Sequence, residues 1–470
     1  MTHPFEVALA RAKQYRQSLA DRAPRPSIAA AALEARFDGP VPERGVAADV
    51  IIEALAEAAE PGLVPASGRR FFGWVIGASH EAAVAADWLT SAWGQNAGLY
   101  ATSPSAAMAE KVASRWLLDI LRLPEECSVG FVTGATMASF TCLAAARNAV
   151  LAQVGWDVEA LGMRGAPHVR ILLGADAHAS VLAALRLLGF GTDTVERIAT
   201  DTEGRMLADA LGHALDAAAG PAIVIAQAGQ INTGAFDPGR DIAALCKRHA
   251  AWLHIDGAFG LWARLCPELE HLTNGVERAD SWATDGHKWL QLPYDSGFAI
   301  VRDAAAHRRA MAISASYLPS AEYQPAHFAP ELSRRARGFA VWALLRTLGR
   351  EGVREMVRRH CRCARRLAAI LAATSGVRVV NEVVLNQLIV RFGEDDAVTH
   401  EVIAQLQGEN LCFAEGARWR GQWVMRVSII AADLDDEDIE RLADAILRAW
   451  RTTQSLRSAR SRLSIRRDEP

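Results

Sequence analysis

Two short stretches hold the residues best suited to chemistry. Leu253-His254-Ile255-Asp256-Gly257-Ala258 is an apolar run of strand type that delivers one carboxylate where it ends. Thirty-two residues after that carboxylate, Asp285-Gly286-His287-Lys288-Trp289 presents a lysine between a histidine and a tryptophan. The turn-rich Leu292-Pro293-Tyr294-Asp295-Ser296-Gly297 follows at once. Apolar neighbours lower the pKa of an amine, which suits a nucleophile that must form a Schiff base with an aldehyde. A carboxylate at the end of a buried strand is costly unless a cation or a set of hydrogen bonds meets it. A structural salt bridge would satisfy Asp256, and so would a protonated ring nitrogen.

Lysine and aspartate together suit pyridoxal phosphate. Its aldehyde would take Lys288, and Asp256 would hold its pyridine nitrogen protonated, so that the ring accepts electrons. Other stretches offer the remaining contacts. Gly130-Phe131-Val132-Thr133-Gly134-Ala135-Thr136-Met137 closes a short strand and opens a helix. Helix N-terminal amides with the Thr136 hydroxyl make an anion site for the phosphate, although capping by Thr136 would explain the same pattern. His178, in Gly174-Ala175-Asp176-Ala177-His178-Ala179-Ser180, can stack a flat ring on the pyridine or simply cap a helix. Gln230-Ile231-Asn232-Thr233-Gly234-Ala235-Phe236-Asp237 is a polar loop that either positions ring substituents or turns the chain. No metal is expected. His80-Glu81-Ala82-Ala83-Val84 lacks the second histidine of a zinc helix, and Cys361-Arg362-Cys363 sits in an Arg-rich helical pattern. A Gly-x-Ser-x-Gly elbow is also missing.

These residues need a scaffold, and the pattern around them supplies one. Between about 105 and 320, helices alternate with apolar stretches at 129–133, 169–173, 222–226 and 252–255. The stretches are β-rich without polar alternation, as buried parallel strands are, which argues for an α/β domain. Ligands bind such sheets at the carboxyl ends of the strands, where Gly134, Gly174 and Asp256 stand. Residues 5–60 read as helices too few to hold a core of their own, so they are expected to pack elsewhere, on a second subunit for instance. Beyond Pro330 come helical patterns to about 348, at 353–373 and at 436–451, with strand-like stretches at 377–380, 387–392 and 424–430. They suggest a smaller α+β domain. The expected division is a helical arm at 1–75, a large α/β domain at 76–325, a small domain at 326–455, and a basic, mobile tail at 456–470.

Composition narrows the class. A chain of 470 residues exceeds what one core supports, and 51% hydrophobic with 22% charged residues is the balance of a soluble globular enzyme. A net charge of −3 offers no broad attraction to nucleic acid or to an anionic membrane. Seven scattered cysteines without a CxxC pair suit a reducing cytosol. The start lacks the basic-then-apolar run of a signal peptide, and no apolar stretch reaches about eighteen residues, so a cytoplasmic location is expected.

Taken together these stretches resemble the group II pyridoxal phosphate-dependent amino acid decarboxylases, which include the aromatic amino acid, histidine and glutamate decarboxylases. The resemblance runs from roughly 5 to 450 and joins Phe71-Phe72-Gly73, Ala101-Thr102-Ser103-Pro104, Gly134, His178, 229–237, His254-Ile255-Asp256-Gly257-Ala258 and His287-Lys288-Trp289. It implies a fold type I enzyme, with a mainly parallel seven-stranded sheet in its large domain. It also implies a homodimer with active sites between subunits. By that resemblance Lys288 is the Schiff-base lysine, Asp256 pairs with the pyridine nitrogen, and His178 stacks on the ring. Gly134, Ala135, Thr136 and His287 fall where phosphate binds, and Gln230, Asn232, Ala258 and Asp285 are the other cofactor positions. Phe71, Phe72, Trp74, Trp93 and Tyr100 match the region of the side-chain pocket, which favours an aromatic substrate; aromatics of a dimer core would read alike.

Three departures stand out. Gln230-Ile231 replaces a pair of threonines, and Asp285 stands where the animal aromatic decarboxylases carry asparagine. The mobile loop whose tyrosine reprotonates the substrate Cα is shortened, within 316–331. Tyr323 is taken for that tyrosine, with Tyr317 and His327 as alternatives. The implied reaction is decarboxylation of an L-amino acid to amine and CO₂. The competing outcomes are oxidative deamination to an aldehyde and carbon–carbon cleavage of the sphingosine phosphate lyase kind, the latter disfavoured without a membrane anchor. A catalytically silent scaffold is disfavoured because Lys288, Asp256 and His178 are all present.

Overall fold

The computed structural model describes residues 2–313 and 323–465. The chain divides into two compact units: Met1–Trp74 with Ala369–Val379 and Val390–Pro470, and Val75–Ala368 with Val380–Ile389. In the first unit, α1 (Pro4–Ser18), α2 (Ala30–Phe37) and α3 (Ala48–Ala59) bury none of their residues. Large apolar side chains stay exposed on them, among them Phe37, Ile51 and Leu55.

The second unit begins with α4 (Glu81–Trp93) and α5 (Pro104–Ile120). Then β1 (Ser128–Val132) leads into α6 (Ala135–Ala152) and α7 (Val158–Leu161). Strand and helix then alternate through β2 (Arg170–Gly174), α8 (Ala179–Leu187), β3 (Glu196–Ile198), α9 (Ala208–Ala217), β4 (Ala222–Gln227), α10 (Gly239–Arg248) and β5 (Trp252–Asp256). The unit continues through β6 (Ser281–Asp285), β7 (Gly297–Val301), α11 (Ala304–Met311) and most of α12 (Gly338–Ala372). These strands form one seven-stranded sheet of order β1-β7-β6-β5-β4-β2-β3. From β3 to β6 all neighbours are parallel, and β7 is antiparallel to both β6 and β1. Every residue of β1, β2, β4, β5, β6 and β7 is buried, because helices cover both faces; this is why those strands read as unbroken apolar runs. Alanine richness has a packing purpose here. Ala138, Ala144, Ala145 and Ala146 let α6 lie close to the sheet in the same cluster as Val132, Ile171 and Ile225.

After α12 come β8 (Val377–Val379), β9 (Gln387–Phe392), α13 (Asp396–Glu409), β10 (Glu415–Trp419), β11 (Gln422–Ser428) and α14 (Asp436–Ile465), all in the first unit except the Gln387–Ile389 half of β9. Their sheet has the order β10-β11-β9-β8, with β8–β9 and β10–β11 antiparallel. The sequence reading did not foresee β10. Its hairpin turns on Arg420 (φ 49°) and Gly421 (φ 77°), and a non-glycine residue at positive φ carries no obvious signal. The two helices expected on either side of residue 350 are present as the two parts of α12, separated at Gly349, whose backbone is not helical (φ 61°, ψ −179°). Where a mobile tail was expected from 456, α14 continues as helix to Ile465. Among the described residues no helix is long and apolar enough to cross a membrane.

Candidate active site

Because β7 is antiparallel to both neighbours, β1 points the same way as β6 and the parallel strands. The carboxyl ends of β1, β2, β4, β5 and β6 therefore share one edge of the sheet. At that edge lie the Gly134 turn, the loop leading to His178, the loop 228–237, Asp256 and Asp285. Register places Asp256 opposite Gln227 on one side and Ala283 on the other, so the two acids end adjacent strands.

Asp256 is buried, and its carboxylate accepts the Ala258 N–H at 3.2 Å. Burial raises its pKa, while the nearby His178 and Lys288 charges pull it down. A buried acid beside Lys288 and His178 is placed to meet a ring N–H.

Asp285 joins the most elements. Its Oδ2 lies 3.0 Å from Lys288 Nζ, and its Oδ1 accepts the Ala135 N–H at 2.6 Å. His287 Nε2 stands 3.4 Å from the same Oδ1. The first amide of α6 is thus met by a carboxylate 150 residues away, and Gly134 at the N-cap has no side chain to offer. Capping by Thr136, the alternative explanation of this turn, is not what the structure shows: no side chain at the N-cap bonds the helix, and Thr136 is exposed at its start. Asp285 also changes the setting of Lys288, whose side chain is 19% exposed and ion-paired rather than bare among apolar neighbours. Trp289 anchors the segment from behind, fully buried, donating Nε1–H to His360 Nδ1 at 2.9 Å.

The two site histidines are oriented by backbone. His287 Nδ1 accepts the Ser296 N–H at 3.2 Å, so the neutral ring carries its proton on Nε2. Burial lowers the His287 pKa and favours that neutral form. His178 caps α8, its Nδ1 accepting the Ser180 N–H at 3.2 Å and lying 2.7 Å from Ser180 Oγ. Its ring is exposed at the sheet edge, so capping and presentation to a ligand coexist. Behind the lysine runs Gly77. A Cβ there would sit 1.9 Å from the His287 carbonyl oxygen and 2.4 Å from that of Lys288, so only glycine lets this segment pass.

The loop after β4 is built to hold itself. Gln230 Oε1 accepts the Asn232 and Thr233 N–H groups at 2.6 and 3.2 Å. Its Nε2 donates to the Asp176 carbonyl at 3.3 Å, which braces the segment before His178. Asp237 accepts the Gln227 and Met206 N–H groups, each at 2.7 Å, and burial raises its pKa to about 6. Gln230, expected at the cofactor, thus braces this loop and the segment before His178.

Tyr323 does not join this group. Its ring stacks on Phe328 with centroids 5.8 Å apart, and its hydroxyl bonds Ser114 on α5. It lies beside the buried Glu110–Arg334 pair at 2.9 Å, and burial raises its pKa. His327 packs edge-on against Phe328, while Tyr317 lies outside the described residues. The five expected pocket aromatics divide between the units. Phe71 and Trp74 pack on Phe413 at 5.0 and 5.4 Å, and Phe72 is buried nearby in sequence. Trp93 meets Phe339 edge-on at 5.0 Å, and the Tyr100 N–H donates to Gln324 Oε1 at 2.8 Å. Sequence reasoning missed Ser296, Gly77 and Tyr294, the last stacked on His287 at 4.4 Å. The turn-rich stretch after Lys288 was the available signal for two of them.

These groups fit pyridoxal phosphate. An 18-residue helix starts at the edge with an exposed Thr136, a lysine amine stands beside it, and a buried carboxylate lies near Lys288 and His178. Comparison with known proteins agrees. The family described as the pyridoxal-dependent decarboxylase conserved domain is matched over residues 31–392. An aromatic-L-amino-acid decarboxylase of Bacillus atrophaeus is 28% identical over 346 residues, covering 72% of this chain and 70% of the relative. A 4-hydroxyphenylacetaldehyde synthase of Rhodiola rosea is 24% identical over 464 residues, covering 94% and 91%. The Oryza sativa TDC solved with PLP and tryptamine shares the fold, with a TM-score of 0.89 at 23% identity, covering 96% of this chain and 97% of that one. With its seven-stranded sheet, its edge of convergent acids and lysine, and this match over most of its length, the chain belongs to the pyridoxal phosphate-dependent amino acid decarboxylases.

Proposed function

We propose that the substrate is an aromatic L-amino acid and the product its amine. The observation that carries this reading is the meeting of Asp256, Lys288 and Asp285 at the ends of two adjacent strands. Bound there, pyridoxal phosphate supplies an aldehyde for amines and a protonated ring that takes up the electrons left when CO₂ departs. In this reading Lys288 attaches the cofactor, and Asp256 stays ionised to keep the ring nitrogen protonated. His178 covers the ring face. The Thr136 amide and hydroxyl and His287 Nε2–H hold the phosphate, while Asp285 takes the Ala135 amide and ties Lys288 to that cradle. The relatives named for aromatic amino acids support the substrate class.

A second reading, oxidative conversion to an aldehyde, is favoured by the aldehyde synthase relative that spans nearly the whole chain. The loop that separates the two outcomes includes residues outside those described. The test is incubation with a panel of L-amino acids while CO₂, oxygen and hydrogen peroxide are followed together. CO₂ with amine and unchanged oxygen is expected for aromatic substrates. Oxygen loss with peroxide would move the assignment to the aldehyde, and no turnover of any aromatic amino acid would refute the substrate class.

The reading includes a homodimer. Helices α1 to α3 bury none of their own residues, and a groove of about 420 Å³ lined by Leu89, Trp93, Met108, Phe339 and Trp342 leaves Trp93 and Trp342 half exposed. Apolar surface on this scale is characteristic of interfaces. It also includes a cytoplasmic location, supported by seven buried cysteines that are all free thiols.

A further inference from the structure

The structure assigns to Tyr294 a positioning role: it clamps the His287 imidazole against the Gly134 turn and keeps Nε2 aimed at the anion end of the site. This inference rests on the cofactor reading above. Tyr294 and His287 ring centroids are 4.4 Å apart with planes tilted by 31°. At the Gly134 turn, a Cβ on that glycine would lie only 2.9 Å from His287 Cε1, so the ring touches the turn at the start of α6. The Ser296 N–H on Nδ1 at 3.2 Å selects the tautomer, and the stack restrains rotation of the ring about that bond.

Tyr294 is 59% exposed, and an exposed tyrosine in a turn would ordinarily be only a solubilising residue. Its surroundings argue otherwise. The Gly77 N–H hydrogen-bonds to its hydroxyl, and the next residue, Asp295, pairs with Arg337 at 2.8 Å. Gly286 and His287 N–H groups both donate to the Ser296 carbonyl, at 3.0 and 3.2 Å, closing the loop on itself. The ring is therefore held at both ends. Three sequence-distant pieces converge on His287: the Gly77 segment through Tyr294, the Gly134 turn, and the loop that follows Lys288.

Two measurements decide the role. The first uses the cofactor-free chain labelled with ¹⁵N-histidine, with His287 assigned by comparison with His287→Gln. Burial is the main cause that lowers the His287 pKa, and Asp285, Lys288 and Asp295 are the charged groups facing it. Tyr294→Ala should raise the His287 midpoint toward the ordinary value of about 6.5 and mix the two tautomers, whereas Tyr294→Phe, which keeps the stacked ring and loses only the Gly77 bond, should shift it by less than half as much. The second is the Kd for pyridoxal phosphate, followed by quenching of tryptophan fluorescence. Tyr294→Ala should weaken it about five- to tenfold and Tyr294→Phe by less than about twofold, the size of a lost ring pair. In the His287→Gln background, Tyr294→Ala should cost nothing more. An unchanged His287 titration in Tyr294→Ala, or an affinity loss that persists in that background, would overturn the role. So would a Tyr294→Phe defect equal to that of Tyr294→Ala. If wild type binds no cofactor, the cofactor reading fails, and the histidine titration still decides whether Tyr294 positions His287.

Discussion

Asp256 acts at the scale of one residue. A carboxylate at the end of a buried strand is unfavourable alone and useful only against a cation. If its charge serves the ring nitrogen, Asp256→Ala should lower kcat by at least about a hundredfold, as loss of a preorganised electrostatic partner does. The cofactor Kd should change by less than about tenfold, since phosphate and lysine contacts remain. Steady-state rates and a cofactor titration on the same preparation check this, and near wild-type kcat would sink the role. Asp256, Lys288 and His178 could be put forward from the sequence because residue type and immediate setting carry the signal. The partners of Lys288 were not. Asp285 was noticed only as a departure from asparagine, and nothing local reveals that its two oxygens reach Ala135 and Lys288.

At the scale of an element, α6 shows how a helix start is completed from elsewhere. Gly134 supplies backbone freedom but no cap, and Asp285 accepts the first amide. Asp285→Ala should therefore destabilise the cofactor-free chain by about 1–2 kcal/mol, the usual worth of a helix cap carrying charge. Asp285→Asn keeps an acceptor and should lose less than half of that. Urea midpoints of the three proteins decide the matter; equal losses in both variants would mean that the charge, not the acceptor, matters. The strands of the large sheet were legible as apolar runs because both faces are covered. The β10–β11 hairpin was not, since Arg420 takes positive φ without the Asn-Gly pattern that usually announces such turns.

For the whole molecule, pH reports on two histidines sealed in the second unit. Burial holds His254 and His307 neutral, each with its pKa lowered to about 3. Unfolded histidine titrates near 6.5, so the stability tied to each neutral ring is complete above that value and is lost as pH falls toward 3. Each should cost about 1.4 kcal/mol per pH unit in that window, roughly 2 kcal/mol between pH 6.5 and 5. Urea unfolding from pH 7 to 5 should show this slope, and His254→Gln should flatten it by one proton; an unchanged slope would refute the assignment. Subunit association is the second whole-molecule prediction. Ile51→Lys on exposed α3 should shift the proposed homodimer toward monomer without lowering the unfolding midpoint of the monomer, as sedimentation velocity would show. A wild-type chain that sediments as a monomer would refute the dimer.

The amino-acid order alone pointed to the cofactor class and the alternating α/β scaffold, and it put forward three candidate side chains for the site. Each is written locally, in an apolar run, a strand-end acid or a flanked lysine. Tertiary structure decided which groups meet. Because β7 is antiparallel to both β6 and β1, the Gly134 turn comes to the same edge as Asp285 and Lys288, which puts a carboxylate on the first amide of α6. The same folding set Tyr294 on His287 and took Tyr323 away to Ser114. Contacts between residues far apart in the chain depend on strand order and register, and neither leaves a mark in local residue types.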